Sequence, residues 1–587
     1  MTVSGSAALR RYNAFLMLVA GLGGLLYGID VGIIGSAYPY LEATSHLSPD
    51  RLSDIVAAVL LGSVFSTLFA GLLADWMGRK RLMILSGLVF VASIPIIALA
   101  SGFGPLLAGR LLQGISGGLV GIVVPLYLAE CLGASNRGKG TGAFQWLLTL
   151  GIVAAALIGV YFSYRVAEVA RTASPEVLNQ FKDHAWRSIF WVSLPPGVLF
   201  VLGAFFVSES PRWLFRKGQL ERARMALLRS RTPEQADREM EEMVQVAESA
   251  KSSGPKATDS LFRRKYIIPF LLACAILFLN QGTGINSIIG YNTGILLQSG
   301  LSDLAAHWGY VLFTTVNFLL TMVGMQLVDR RGRRFLILLG TCGIVASLVG
   351  VGLLFVQSEK HTVDAGAAIQ ATVDADQQVH FKFDQAAAER LLAGRTSVDP
   401  QHAALTVIYS YGDFIAATNS VRSDDASAAE VTISRAACVP ANRVESIFKN
   451  PFADLEGART APLRIQKAIV AQIPSTQHGW LVALGLYCFI ACYAFGPGVV
   501  VWLALSELMP TRIRSNGMSI ALVLNQLLSA TLAGIFLPFV GRWGYSAIFF
   551  LFAGFTIVYF VIAIFFLPET KGKTLEEIEA HFEGRSA

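Results

Sequence analysis

Charge is what this chain has least of. Asp, Glu, Lys and Arg make up 15% of its 587 residues, against about 25% in a soluble globular domain. With a mean hydropathy of +0.55, so little charge excludes a water-soluble fold. Cysteine is equally uninformative as a ligand. The six cysteines (131, 274, 342, 438, 488 and 492) show no metal-ligand spacing, and five lie in or at the ends of apolar runs, so neither a metal site nor a disulfide framework is implied. The eight histidines fall outside those runs or at their edges, which disfavours a histidine proton relay. "GKT" at 572–574 lacks the upstream glycine of a phosphate loop, since Leu567 stands there. ATP-driven transport and an enzymatic centre therefore find nothing to attach to, and no cofactor or metal is expected. The net charge of +7 does not point to nucleic acid, because the basic residues sit in short loops between apolar runs, the orientation signal of a membrane protein.

What the chain does have is apolar runs of about 20 residues from end to end, the length that crosses a bilayer as a helix. They lack the period-2 alternation of barrel strands. Spans are predicted near 12–38, 54–74, 82–100, 104–129, 139–162, 188–207, 266–298, 304–328, 334–357, 479–505, 515–541 and 545–567. The loops at 75–81, 133–141, 208–265, 329–334 and 508–514 are rich in Arg and Lys and alternate with loops that are not, which puts both termini in the cytoplasm.

The two halves echo each other. "LLADWMGRKRL" (72–82) is matched by "QLVDRRGRRFL" (326–336), "PLYLAECLGASNRG" (125–138) by "WLALSELMPTRIRS" (502–515), and "SESPRWLFRKG" (208–218) by "LPETKGKTLEE" (567–577). Three landmarks in one order indicate a duplicated six-span unit, the build of many secondary transporters. Asp75 and Glu130 are 55 residues apart but Asp329 and Glu507 are 178 apart, so the second half carries an insertion at about 358–478. The expected fold is an all-α membrane protein of twelve transmembrane helices in two pseudo-symmetric six-helix bundles, with a small inserted extracytoplasmic domain. The bundles would be 1–207 and 266–357 plus 479–567, joined by a cytoplasmic helical linker (208–265) and followed by a cytoplasmic tail (568–587).

In order, "GGLLYGID", "DWMGRK", "GRLLQGISGG", "PLYLAE" with "NRG", "SESPRWL", "NQGTGIN", "DRRGRR", "ALSELMPTRIR" and "LPETKGKTLEE" resemble the sugar porter family of the major facilitator superfamily. The resemblance covers everything but the insertion and implies two bundles rocking about a central sugar site. It assigns substrate contacts to Gln145, Gln281, Asn286, Tyr291, Asn317, Trp502 and Asn525. Elementary chemistry agrees: amides at membrane depth need partners, a sugar offers alternating donors and acceptors, and an aromatic face suits a pyranose ring. Taken singly, such amides could equally just join helices. Asn280, Gly290 and Gln526 depart from the family's usual glutamine, tyrosine and tryptophan, which puts glucose in doubt and leaves inositol a contender.

Two further groups of charges stand out. Asp30 lies inside the first span, where an Asp costs roughly 2.5–3.5 kcal/mol, and Arg110 lies inside the fourth; they match the proton-coupling pair of the family, and pairing would offset their desolvation. Asp75, Arg79, Glu130, Arg137 and Glu209, with Asp329, Arg333, Glu507, Arg514 and Glu569, resemble its cytoplasmic gating network. Such ion pairs can hold the inner gate shut. The expected activity is import of a monosaccharide or polyol with a proton, by one chain acting as a monomer in the lipid bilayer of a plasma membrane. The insertion holds no N-x-S/T site, which favours a bacterial inner membrane over a glycosylating eukaryote. A proton-independent facilitator is the first alternative. A sugar sensor using the insertion is the second, disfavoured by a tail of about 20 residues where sensors of this fold usually extend one.

Overall fold

The computed structural model describes residues 3–132, 134–252, 264–360, 362–392, 398–425, 430–509, 514–571 and 582. Six spans come first: α1 (Val3–Thr44), α2 (Pro49–Met77), α3 (Arg79–Ala98), α4 (Phe103–Cys131), α5 (Ala134–Ala170), and a sixth made of α6 (Pro175–Trp191) and α7 (Leu194–Phe206). Three short helices follow, α8 (Pro211–Arg216), α9 (Leu220–Leu228) and α10 (Pro233–Ser252). The second half opens with a broken span, α11 (Arg264–Gly282), α12 (Ile285–Gly290) and α13 (Asn292–Gln298), then α14 (Asp303–Arg331) and α15 (Arg333–Glu359). Among the described residues eleven helical stretches are long and apolar enough to cross a membrane. The last of them contains two spans, because its helix runs on through Gly544, whose φ of 85° marks the turn between them.

Helix starts follow simple chemistry. Ser48, Ser174, Ser210, Ser302 and Ser475 each accept a hydrogen bond from the backbone N–H three residues on, and three of them precede a proline, whose missing N–H costs nothing in the first turn. Gly78 (φ 96°) and Gly332 (φ 91°) make the tight links from α2 to α3 and from α14 to α15.

Between α15 and the tenth span the chain builds a small α+β unit. Its strands are β1 (Thr362–Asp364), β2 (Val379–Phe381), β3 (Ala403–Tyr411), β4 (Phe414–Ala417), β5 (Val421–Arg422), β6 (Val431–Ile433) and β7 (Leu463–Gln472). Five form an antiparallel sheet in the order β1-β7-β3-β4, with β5 also on β3; β2 pairs with β6. The short helices α16 (Gly366–Gln370), α17 (Gln385–Leu392), α18 (Arg435–Cys438), α19 (Arg443–Lys449) and α20 (Leu455–Thr460) complete it. The largely buried β3 and the buried positions of β7 feed a core of its own, around Leu405, Val407, Tyr411, Phe414 and Val470. The chain then re-enters the bundle through α21 (Thr476–Phe495) and α22 (Pro497–Leu508) and ends with α23 (Arg514–Phe566).

The apolar core is divided unevenly. At the sheet-bearing end one cluster joins both halves, with Ile33, Tyr38, Ile55 and Phe190 packed with Ile289, Tyr310, Phe489 and Phe536. At the other end the halves keep separate cores, Leu82, Phe90, Leu128 and Phe200 in the first and Leu336, Val500, Tyr559 and Leu567 in the second. The halves are thus sealed together at the sheet end.

Candidate functional site

The seventh span breaks where "NQGTGIN" demands it. Gly284 takes a left-handed turn (φ 79°), and a Cβ there would lie 2.3 Å from the Phe552 ring, so only glycine fits. The break lets amides on both sides of it face one another. Asn525 donates from Nδ2 to the Leu277 carbonyl oxygen (2.8 Å), and its Oδ1 accepts from Gln281 Nε2 (3.2 Å). Gln281 Oε1 in turn accepts from Asn286 Nδ2 (3.2 Å), which also donates to Ser529 Oγ (2.8 Å). Asn525 is fully buried and Gln281 nearly so, while Asn286 is half-buried and ends the chain. Amide valence then leaves Asn286 Oδ1 as an acceptor and the second Gln281 N–H as a donor, a pair suited to adjacent hydroxyls. Alongside, Asn280 Nδ2 donates to Tyr493 OH (3.2 Å), and Asn280 Oδ1 has no partner among the described residues.

The other expected contacts are dispersed. Gln145 is half-buried on α5 and Asn317 is buried on α14. Tyr291 meets α23 one turn beyond Ser529, with no hydrogen bond to the amide chain among the described residues. Its hydroxyl donates to the Ala533 carbonyl oxygen (3.0 Å) and lies within hydrogen-bond distance of Ser53 Oγ (3.3 Å). Its ring stacks on Phe536 at 4.4 Å and meets Tyr38 edge-on at 5.2 Å. It is a plug between the halves at the sheet end, 1% exposed.

Asp30 and Arg110 are both 1% exposed, but they are not in contact. Arg110 Nη1 donates to Gln113 Oε1 (2.6 Å) and Nε to the Ile55 carbonyl oxygen (3.5 Å), and its guanidinium lies 5.7 Å from the Phe190 ring centre. Asp30 packs against Gly117, where a Cβ would lie 2.8 Å from Oδ2, and neither carboxyl oxygen has a hydrogen-bond partner. The expected ion pair fails for a geometric reason. Seven residues, about 10 Å of helix, separate Arg110 from Gly117, and side chains lean toward a helix N-terminus, so Arg110 leans away from Asp30.

The charged ends repeat almost atom for atom in the two halves. Arg79 makes a two-point pair with Glu130 (Nε to Oε2 2.8 Å, Nη2 to Oε1 2.9 Å) and a contact to Asp75 (3.0 Å). Arg333 does the same with Glu507 (3.2 and 2.9 Å). Glu209 Oε1 accepts from the backbone N–H of Arg79 and Lys80 (2.9 and 3.1 Å), capping α3. The two oxygens of Glu569 cap α15 through Arg333 and Arg334 (2.9 and 3.1 Å). A Cβ on Gly78 or Gly332 would lie 2.4 or 2.5 Å from the capping carboxylate. Every one of these contacts lies within one half. The side chains of Arg137, Asp329, Trp502 and Arg514 lie outside the described residues.

Sequence reasoning missed Ser529 and the hydroxyls that complete each acidic end. Ser210 Oγ donates to Glu130 (2.5 Å) and Thr570 Oγ1 to Glu507 (2.6 Å). A signal was available, since "ES" at 209–210 and "ET" at 569–570 fall at equivalent repeat positions.

The sequence profile of the family described as "Sugar (and other) transporter" matches residues 16–373 and 464–582, leaving out most of the inserted unit. The human "Proton myo-inositol cotransporter" is 27% identical over 97% of this chain and 82% of its own length. "Glucose transporter GlcP" of Staphylococcus epidermidis is 25% identical over 98% of each chain. The "Galactose-proton symporter" of Escherichia coli is 29% identical over 58% of this chain and 70% of its own. Among solved structures, a partially occluded, inward-open form of the E. coli xylose transporter XylE superposes with a TM-score of 0.62 at 16% identity, covering 95% of this chain and 100% of that one. At that identity the likeness is one of fold.

Proposed function

The chain belongs to the sugar porter family of the major facilitator superfamily, and from that premise we propose that it imports a monosaccharide or polyol together with a proton by alternating access. It is a multi-pass membrane transporter and not an enzyme. In this reading the sheet end faces outward, both termini lie in the cytoplasm, and the membrane is a bacterial inner membrane. The chain works as a monomer. The inserted unit is an extracytoplasmic domain, and α8–α10 belong to a cytoplasmic linker.

The observation that carries the reading is the chain of amides from Asn525 through Gln281 to Asn286 at the break in the seventh span. Broken helices lining the interface of two repeats are where secondary transporters bind. Asn286 and Gln281 contact substrate hydroxyls, Asn525 positions Gln281, and Gln145, Asn317 and Trp502 complete the site from other spans. Tyr291 closes the outer gate over it. The shared core at the sheet end and the separate cores at the other fit an inward-facing state. In that state the charged ends at Arg79 and Arg333 are held within their own halves; they would meet across the halves when the inner gate shuts. A buried Asp30 without a partner is better accommodated as the neutral acid, which suits a proton carrier that empties when Arg110 approaches.

Proton independence is the second reading, since one relative is named only as a glucose transporter. Uptake of radiolabelled monosaccharides and cyclitols into proteoliposomes, with and without an inward proton gradient, separates the two. Gradient-driven accumulation of one compound supports symport, and equilibration alone would make the protein a facilitator. Uptake of none would overturn the assignment of substrate class.

A further inference from the structure

We infer that His307 is a second proton site of this transporter, filled when the outer gate closes and emptied when it opens. The inference rests on the alternating-access reading above and concerns a different place from Asp30. His307 lies in the second turn of α14 and is fully buried. Its Nδ1 is 2.9 Å from the Asp303 carbonyl oxygen, with Asp303 Oδ1 at 3.4 Å. Its Nε2 is 3.2 Å from the carbonyl oxygen of Ser36. Both ring nitrogens therefore face acceptors. A neutral imidazole has one N–H, and only the imidazolium donates from both sides.

The counter-charge, Asp303 of the same helix, is held by donors from the opposite half. Asp303 Oδ2 accepts from Tyr40 OH (2.9 Å) and Ser163 Oγ (2.6 Å), on α1 and α5. The Tyr40 ring stacks on the imidazole at 5.5 Å. On α5, Gly159 gives the ring its space, because a Cβ there would lie 3.0 Å from the His307 ring and 2.6 Å from Ser36 Oγ. Among the described residues Asp303 is the charged side chain paired with the ring, and Tyr40 is the other titratable group against it.

The cation and its counterion thus sit on one half, and the groups that satisfy them sit on the other. Parting the halves at the outer end withdraws Ser36 from Nε2, so that one N–H, on Nδ1, is enough, while water replaces Tyr40 and Ser163 on Asp303. The proton then has one acceptor fewer and leaves to the outer solution through Asp303, whose side chain is 34% exposed. Closing the gate takes one proton back from the same side. The site therefore carries no proton across the membrane. It ties the poise between outward- and inward-facing states to external pH, by up to about tenfold per pH unit over the interval in which the two states differ in protonation.

The test uses the full chain in cells, with Val56→Cys in a background lacking other reactive cysteines. Val56 is 5% exposed, about one turn deeper on α2 than Ser53, which meets the hydroxyl of Tyr291. With the rate at each pH divided by that of a permanently exposed external cysteine, which corrects for the thiolate fraction, a membrane-impermeant thiol reagent should label it faster as external pH rises from about 5.5 to about 8, the range in which histidine titrates. His307→Gln should flatten that profile, Asp303→Asn should move it to lower pH by removing the counterion, and Asp30→Asn should leave it in place. A pH profile that survives His307→Gln, or that vanishes in Asp30→Asn, would overturn the inference, as would a flat profile in the parent. Labelling at no pH would remove alternating access itself.

Discussion

Replacing Asn286 by alanine is the sharpest test of the amide chain. The change deletes the donor that satisfies both Gln281 Oε1 and Ser529 Oγ and removes the acceptor offered to substrate. A net hydrogen bond is worth about 0.5–1.5 kcal/mol, whereas a buried group left without its partner costs about 1–3. Gln281 is 7% exposed and cannot turn to water for compensation, so the larger range applies. Binding should weaken by about 1–3 kcal/mol, roughly fivefold to 150-fold in Kd. Asn525→Ala removes no substrate contact and acts only by releasing Gln281, so a loss of about 1 kcal/mol is expected. Because it works through Gln281, it should add little to Gln281→Ala, the non-additivity of residues in contact. Equilibrium binding of the tightest radiolabelled sugar or cyclitol to purified protein measures all four, with thermal melting to verify folding. Wild-type affinity in Asn286→Ala, or an Asn525→Ala effect that persists undiminished without Gln281, would refute the chain of positioning.

Three other expectations follow from the same geometry. Asp30→Asn should abolish gradient-driven accumulation while sparing sugar exchange at equal pH on both sides; accumulation that persists in the variant would take the proton off Asp30. Arg79→Ala takes its two-point partner from the Glu130 carboxylate, whose side chain is 10% exposed beside an Arg at 3%, and leaves it Ser210, and Arg216 at 3.5 Å. Breaking such a pair costs about 3–5 kcal/mol, so the melting temperature should drop clearly and recover in part in Arg79→Ala/Glu130→Ala; equal melting of the single and double variants would argue against the pair. Deleting residues 360–476 and closing the gap with a short linker should leave transport measurable, since no site amide comes from that segment. Normal insertion with no substrate binding would instead make the segment part of the site.

The repeat of Asp, Gly and Arg at 75–79 and 329–333 was readable because a tight helix link with a capped N-terminus needs those residue types in that order. The glycine-broken seventh span was readable for the same reason. The neighbours of Asp30 were not. A motif places a carboxyl on a helix, but which turn of α4 it faces depends on helix packing, and Gly117 rather than Arg110 receives it. Tyr291 likewise carries a site residue's motif position, yet a ring on the short α12–α13 link packs where Phe536 and Tyr38 leave it room. His307 was set aside because a span edge looks solvated in sequence; it is buried only because α1 and α5 close over it. The antiparallel order β1-β7-β3-β4 of the insertion is set by long-range pairing that no local pattern encodes.

The inserted sheet touches both halves at once. Asn419 Nδ2 donates to the Leu47 carbonyl oxygen (3.1 Å), Lys449 pairs with Asp50 (2.6 Å) and Lys182 of α6 with Asp425 (3.5 Å), while Arg542 near the end of the eleventh span donates to the Ile415 carbonyl oxygen (3.0 Å). A cavity of 340 Å³ lies beneath it, lined by Tyr38, Leu537 and Tyr545 of the bundle and Thr406 and Lys467 of the sheet. Because the sheet is covalently anchored to the second half, its grip on the first is an intramolecular contact at high effective concentration, strong in sum even where each pair is weak. In the alternating-access reading proposed above, rocking shears this seam and the sheet is a handle. On that reading a binding protein wedged into the seam would halt the transport cycle without entering the sugar path, and a pair of dyes across Leu47 and Asn419 would report each stroke.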